Sequence, residues 1–316
     1  MPARRVDAEE SAQVSDRRPL RSLLFVPGDS ERKQSKALLS GADALILDLE
    51  DSVSAAQLPK AREQVRAFLS RASDPSGPQR WVRVNSLGSG ELLNDLVAVI
   101  GGRPDGVVLP KVSSAGELTQ VSHYLSALEA REGYLAGSTR ILIIATETPE
   151  ALLGLGAYGP GVAVSERLMG LTWGMEDLSA ALGVLRKTQE SGGLIPVLEL
   201  ARSLCLIAAG AARVQAIDGV YTDFRDTPGL AQETARSRRD GFTAKLAIHP
   251  DQVPIINAAF SPTAGEIEHA RRVVAAFASA PGAGVTSLDG RMLDRPHLVL
   301  AQRVLELSGR TAIEKT

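Results

Sequence analysis

Eight short apolar runs, each closing on polar or turn residues and each followed by a stretch long enough for a helix, constrain this chain more than any other feature. They are SLLFVPG (22–28), ALILDLED (44–51), RWVRVNS (80–86), GVVLPK (106–111), RILIIATET (140–148), RLMGLTWG (167–174), AIDGVYTD (216–223) and KLAIHP (245–250). Most are rich in leucine or β-branched residues and bounded by Gly or Pro, as strands covered on both faces are. The intervening KQSKALLSG, PKAREQVRAFLS, ELLNDLVAVIGG, AGELTQVSHYLSALEA and VLELARSLCLIAAGAARV place apolar residues at steps of three and four. Alternation of strand and helix makes a parallel sheet. Eight rounds of it predict a closed (β/α)8 barrel rather than a doubly wound sheet. No Gly-rich dinucleotide fingerprint follows the first run, which weakens the doubly wound alternative further.

Residues 20–280 are expected to form this barrel, and residues 281–316, which exceed its needs, a C-terminal arm. Residues 1–19, MPARRVDAEESAQVSDRRP, mix both signs without an apolar segment and read as a flexible tail rather than a secretory signal. A net charge of −2 points to neither nucleic acid nor an anionic membrane as partner. No apolar run approaches the ~20 residues of a membrane span. The one cysteine, Cys205, lies in an apolar helical run and suits a reducing, cytoplasmic setting.

The ends of the runs carry the chemistry: Pro27-Gly28-Asp29, Glu50-Asp51, Arg83 and Asn85, Pro110-Lys111, Glu147, Glu176-Asp177, Asp223 and His249-Pro250. In such a barrel the C-terminal strand ends are where active sites are built. Glu147 and Asp177 close consecutive runs, and parallel neighbours bring strand ends to roughly 5 Å. Two carboxylates that close repel unless a cation lies between them. A divalent metal, Mg²⁺, is therefore expected on Glu147 and Asp177. Each also has a plainer reading, Glu147 as a helix cap and Asp177 as a charge on a helix dipole. Asp48 and Glu50 alternate onto one side of their strand, either as a structural pair or as part of the site. His249 reads as a turn histidine or a ligand, His123, His269 and His297 as solvated, and Trp81 and Trp173 as core or pocket wall.

RSLLFVPG, LDLEDSV, VRVN, LPKV, the ET of ATETPEALLGL, WGMEDLSAALG, AIDGVYTDFRD, KLAIHPDQV and DGRMLDRPH, in this order, span nearly the whole chain. Together they resemble the citrate lyase β-subunit-like family of the HpcH/HpaI aldolase group, which includes malyl-CoA and citramalyl-CoA lyases. The resemblance implies a modified TIM barrel with a C-terminal helical lid, Mg²⁺, a CoA thioester and a small oxo acid as ligands, and a homotrimer or homohexamer. It implies metal ligation by Glu147 and Asp177, substrate contact by Arg83 and Glu147, and acid–base work by Asp294 on the lid. Asp48, Glu50 and Asp51 become supporting carboxylates around the metal. CoA phosphates suit cations at a helix start, so Arg21 and Lys36, with Arg32 and Lys33, are expected to face them. Two departures stand out: Ala244-Lys245 where many members have Gly-Lys, and ATETPEALLGL in place of the usual ETAxG pattern. The activity expected is Mg²⁺-dependent cleavage or formation of a 3-hydroxy-dicarboxyl-CoA thioester (malyl-, citramalyl- or citryl-CoA) to acetyl-CoA plus an oxo acid. The alternatives are an acyl-CoA thioesterase on the same site, the β-subunit of a multi-enzyme citrate lyase acting on a carrier-protein thioester, and a barrel that only binds.

Overall fold

The computed structural model describes residues 20–72, 74–158, 166–190, 192–280, 282 and 284–313. The expected tail lies outside them. The chain divides into two compact units, one of Leu20–Asn257 and one that takes in the chain from Ala258 onward.

The first unit is the barrel. Strands β1 (Ser22–Pro27), β2 (Ala44–Asp48), β3 (Gln79–Arg83), β4 (Gly106–Leu109), β5 (Arg140–Ile144), β6 (Leu168–Thr172), β7 (Gln215–Asp218) and β8 (Ala244–Ala247) follow one another around a closed sheet. Every pairing is parallel, and β8 returns to β1 with Ser22 opposite Lys245 and Leu24 opposite Ala247. Alternate side chains fill the interior: Leu23, Ala44, Ile46, Trp81, Val108, Leu142, Ile144, Ile217, Ala244 and Leu246 form one buried cluster. Trp81 has room because its neighbour on β4 is Gly106. A Cβ there would stand 2.2 Å from the indole ring. The methyl of Ala244 is buried in the same cluster, so the departure from Gly-Lys is absorbed as interior packing.

The outward side chains meet helices α1 (Glu31–Ala37), α2 (Leu58–Leu69), α3 (Leu92–Val99), α4 (Ala115–Glu132), α5 (Pro149–Leu153), α6 (Met175–Leu182), α7 (Pro196–Ala212), α8 (Thr227–Asp240) and α9 (Val253–Phe260). In α2 the buried residues Leu58, Ala61, Val65, Phe68 and Leu69 recur at steps of three and four, one apolar stripe turned to the sheet. Each large side chain buried this way contributes roughly 1.5–3 kcal/mol.

Asp218 ends β7 and points outward, opposite in sense to the interior Ile217. It accepts hydrogen bonds from Arg202 of α7 (3.1 Å), Trp173 Nε1 (2.6 Å) and Ser237 of α8, with Lys245 Nζ at 3.8 Å. Burial alone would raise its carboxyl, but the charges of Lys245 and Arg202 and these hydrogen bonds hold it well below the usual range.

In the second unit, α10 (Ala264–Ala278) starts on a capping box made by Thr263 and Glu266. An antiparallel hairpin of β9 (Val285–Leu288) and β10 (Arg291–Asp294) follows, then α11 (Arg295–Ile313). The two hairpin loop residues, Asp289 and Gly290, have φ of 51° and 75°. That is the pair of left-handed residues a type I′ turn requires. Ala270, Val273, Leu293 and Ala301 form the core of this unit, with Phe277 and Leu305 against it. The sequence reading assigned residues 264–278 to the barrel. The structure instead groups this helix with the C-terminal segment, because its apolar face packs on α11 and the hairpin.

Candidate active site

The acidic rim is assembled by the strand ends of β2, β3, β4, β5 and β6. Asp48, the last residue of β2, and Arg83, the last of β3, sit in register and form a two-pronged pair, Nε–Oδ1 2.7 Å and Nη2–Oδ2 2.7 Å. The Arg83 guanidinium lies over the Phe25 ring at 4.8 Å, with Nη1 3.2 Å from Asp51 and 3.0 Å from Glu50. Burial opposes the charge on both partners of the pair. The Arg83–Asp48 interaction outweighs it, holding the Asp48 carboxyl below its ordinary value and the guanidinium above.

Lys111 follows β4 with φ of 53°, a conformation side chains other than glycine rarely adopt. Its N–H donates to Glu147 Oε2 at 2.5 Å. Its ammonium bonds Glu50 and lies 3.6 Å from both Asp51 Oδ1 and Asp177 Oδ1. Glu147 leaves the turn after β5, and Asp177 stands in the first turn of α6, directly after β6. Gly174 makes room for Glu147: a Cβ at Gly174 would meet Glu147 Cγ at 2.6 Å. Burial pushes the Glu147 carboxyl up to about 8, opposed by the Lys111 N–H and reinforced by the charges of Asp177 and Glu50.

Asp48, Glu50, Asp51, Glu147 and Asp177 thus face two cations, Arg83 and Lys111, so full ionisation leaves three negative charges in excess. Glu50 Oε2 is buried and accepts no hydrogen bond, although Arg83 Nη1 is 3.0 Å away, outside bonding geometry. Hard oxygen donors, an orphaned carboxylate oxygen and surplus negative charge fit a divalent cation. Among the described residues no group of three or more His, Cys, Asp or Glu makes a ready metal cage. A Mg²⁺ site needs none, since it is held by one or two carboxylates with water and substrate completing the shell.

The structure therefore brings Asp48, Glu50, Asp51, Arg83, Glu147 and Asp177 together. It does not bring Arg21 to them. Arg21 precedes β1, at the strand-start end, about 20 Å of extended chain from the rim. There it forks onto Asp43, Nε–Oδ2 3.0 Å and Nη2–Oδ1 2.9 Å. Arg21 is thereby held as an ion pair with Asp43, apart from the rim where its CoA contact was expected. Lys36 is exposed in the last turn of α1. His249 caps the short turn Pro250–Gln252 and stacks on Phe224 at 4.9 Å. Asp294, at the end of β10 in the second unit, has His297 Nδ1 2.5 Å from its Oδ1. Lys111 and His297 are the side chains to which the sequence reading gave no role here. The signal for Lys111 was its place at a strand end beside the run that carries Glu147.

With the closed barrel and its acidic rim in view, the chain falls among the (β/α)8-barrel enzymes of the lyase and aldolase class. It belongs to the HpcH/HpaI aldolase/citrate lyase family, whose model matches residues 21–250. It is 38% identical over 304 residues to the citrate lyase subunit beta of Escherichia coli strain K12, covering 95% of this chain and 97% of that protein. It is 35% identical over 289 residues to a (3S)-malyl-CoA thioesterase of Cereibacter sphaeroides strain KD131, covering 91% and 94%. Among solved structures, CitE from Mycobacterium tuberculosis in complex with magnesium, acetoacetate and coenzyme A superposes with a TM-score of 0.72 at 32% identity, covering 91% of this chain and 97% of that one.

Proposed function

We propose that this protein is a Mg²⁺-dependent CoA-ester lyase that breaks or makes the carbon–carbon bond of a 3-hydroxy-dicarboxyl-CoA thioester. Malyl-, citramalyl- and citryl-CoA are the candidate substrates, with acetyl-CoA and an oxo acid as products of cleavage. The observation that carries this reading is the convergence of Glu147 and Asp177 from the ends of adjacent strands into a cluster short of positive charge. These two carboxylates would hold the ion. Bound there, it would supply Lewis-acid polarisation of the oxo-acid carbonyl.

The chain's own residues account for the rest. In cleavage the hydroxyl proton passes to water, the O–H pair becomes the new carbonyl π bond, and the electron pair of the broken carbon–carbon bond passes to the acetyl fragment, which then takes up a proton from a general acid. Negative charge grows on the thioester oxygen meanwhile, and a cation already fixed in place lowers the barrier without reorganising. Arg83 suits this task or the grip on a substrate carboxylate, because Asp48 and Phe25 hold it in one orientation and it stays charged. Asp294 serves as the group that gives or takes the proton at the acetyl carbon. Lys36, exposed at the end of α1, is placed to meet a CoA phosphate from solvent. The protein acts in the cytoplasm as a homotrimer or homohexamer.

The M. tuberculosis complex with magnesium and coenzyme A supports the metal and the thioester. The Cereibacter relative favours a second reading, hydrolysis of the thioester by water on the same site. The E. coli relative favours a third, a subunit acting on a carrier-protein thioester. One experiment separates them: incubate the protein with Mg²⁺ and each of malyl-, citramalyl- and citryl-CoA, and with a carrier-protein thioester, and identify products by mass spectrometry. Acetyl-CoA with an oxo acid is expected. Free CoA with an intact hydroxy acid marks a thioesterase, and turnover of the carrier thioester alone marks the subunit. Full turnover in EDTA would overturn the metal reading.

A further inference from the structure

We infer that the Lys111 ammonium is a built-in counter-ion that competes with the divalent cation for the rim carboxylates, so that metal loading requires this side chain to leave. The inference rests on the metal reading above. Lys111 touches both expected ligands, by different means. Its backbone N–H holds Glu147 Oε2 at 2.5 Å, while its ammonium stands 3.6 Å from Asp177 Oδ1, 3.6 Å from Asp51 Oδ1 and in contact with Glu50. The left-handed backbone at φ 53° lets one residue do both, and L residues accept that conformation only where the surroundings impose it.

The two cations of the cluster are held differently. Arg83 is fixed by a two-pronged bond and a ring face. The Lys111 side chain is 31% exposed, and its charge rides on a flexible four-carbon stem. It is the movable cation. A divalent ion on Asp177 and Glu147 draws on the same negative potential that now holds the ammonium, and two cations of like sign in that space repel. The backbone contact to Glu147 does not depend on where the ammonium lies, so Glu147 stays positioned whether or not the lysine has swung out.

The test uses the full chain, stripped of metal with a chelator, as wild type, Lys111→Met and Lys111→Arg. Mg²⁺ binding is read by titration calorimetry, Mn²⁺ binding by electron paramagnetic resonance, and the metal-free melting temperature by circular dichroism. Lys111→Met is expected to bind both ions about tenfold more tightly or better, and to melt lower without metal. Lys111→Arg, which keeps the charge, is expected to bind no more tightly than wild type. Should Lys111→Met not fold, Lys111→Gln carries the same expectation. Neutral variants that bind equally or more weakly, or an arginine variant that binds as tightly as the methionine one, overturn the inference while leaving the metal reading intact. Wild-type protein that binds neither ion overturns both.

Discussion

The indole Nε1 of Trp173 donates to Oδ1 of Asp218 across 2.6 Å. This bond joins the buried Asp218–Arg202–Lys245 network to the turn between β6 and α6, and Asp177 stands in the first turn of α6. Asp218→Asn removes one counter-charge from Arg202, which keeps Asp240 at 2.6 Å, and from Lys245, which keeps Glu233 at 2.7 Å, and is expected to cost about 1.5–3 kcal/mol at neutral pH. The folded carboxyl lies below the 3.8 of an unperturbed aspartate. Its contribution is therefore complete above that value and is lost as pH falls through the folded one. Urea unfolding at about pH 7 and about pH 3 should show the gap between wild type and Asp218→Asn narrowing at the lower pH; an equal gap at both would contradict it.

Glu147→Gln and Asp177→Asn each remove one negative oxygen from the proposed ion site. Both are expected to lower Mg²⁺-dependent turnover about 100-fold or more. A Mg²⁺ titration of kcat for each variant checks this, and unchanged turnover in either would end the metal assignment.

Gly174→Ala tests the same site by shape alone. The φ and ψ of −111° and 109° at Gly174 are open to alanine, so backbone strain plays no part. The added methyl would stand 2.6 Å from Glu147 Cγ and 3.2 Å from Ile144 Cγ2. Overpacking of this kind costs about 1–3 kcal/mol, and Glu147 must move. Expected are a folded protein, a modestly lower melting temperature and weakened Mg²⁺ binding by calorimetry. Wild-type Mg²⁺ affinity in this variant would mean that Glu147 is not a ligand.

Asp294→Asn is expected to lower kcat by about 10²–10⁴ while leaving Mg²⁺ and CoA affinities within error. His297 Nδ1 stands 2.5 Å from the same carboxylate, so His297→Ala should lower kcat less than Asp294→Asn and leave KM for the thioester unchanged. Steady-state kinetics paired with calorimetry distinguish these outcomes. Loss of CoA binding in Asp294→Asn would move the residue from proton transfer to ligand binding.

The barrel was legible because most strands, such as Ala44–Asp48 and Gly106–Leu109, are buried on both faces and therefore read as short apolar runs. The nearness of Glu147 and Asp177 was legible because consecutive strands are neighbours. The distance of Arg21 from the rim follows from strand direction alone, which puts a residue before Ser22 at the far end. The helix at 264–278 has the periodicity of a barrel helix, and only tertiary packing on Leu293 and Ala301 tells it apart. The Asp218 network was invisible for a similar reason. Its partners lie on two helices, on β8 and just after β6, and the rotation of those helices follows from packing rather than from spacing. The hairpin of β9 and β10 was missed although Asp289-Gly290 is a strong local signal for it.

That hairpin has a consequence for Asp294. The residue is the last rung of a two-stranded ladder, paired with Val285, and α11 begins at the very next position. A carboxylate hung on a slack loop must be frozen anew at each turnover, whereas here the two left-handed loop residues and the ladder have already removed most of that freedom during folding. On the proton-transfer role proposed for Asp294, lengthening the Asp289-Gly290 loop by a few glycines should thus slow the reaction through entropy alone, leaving every side chain of the rim in place.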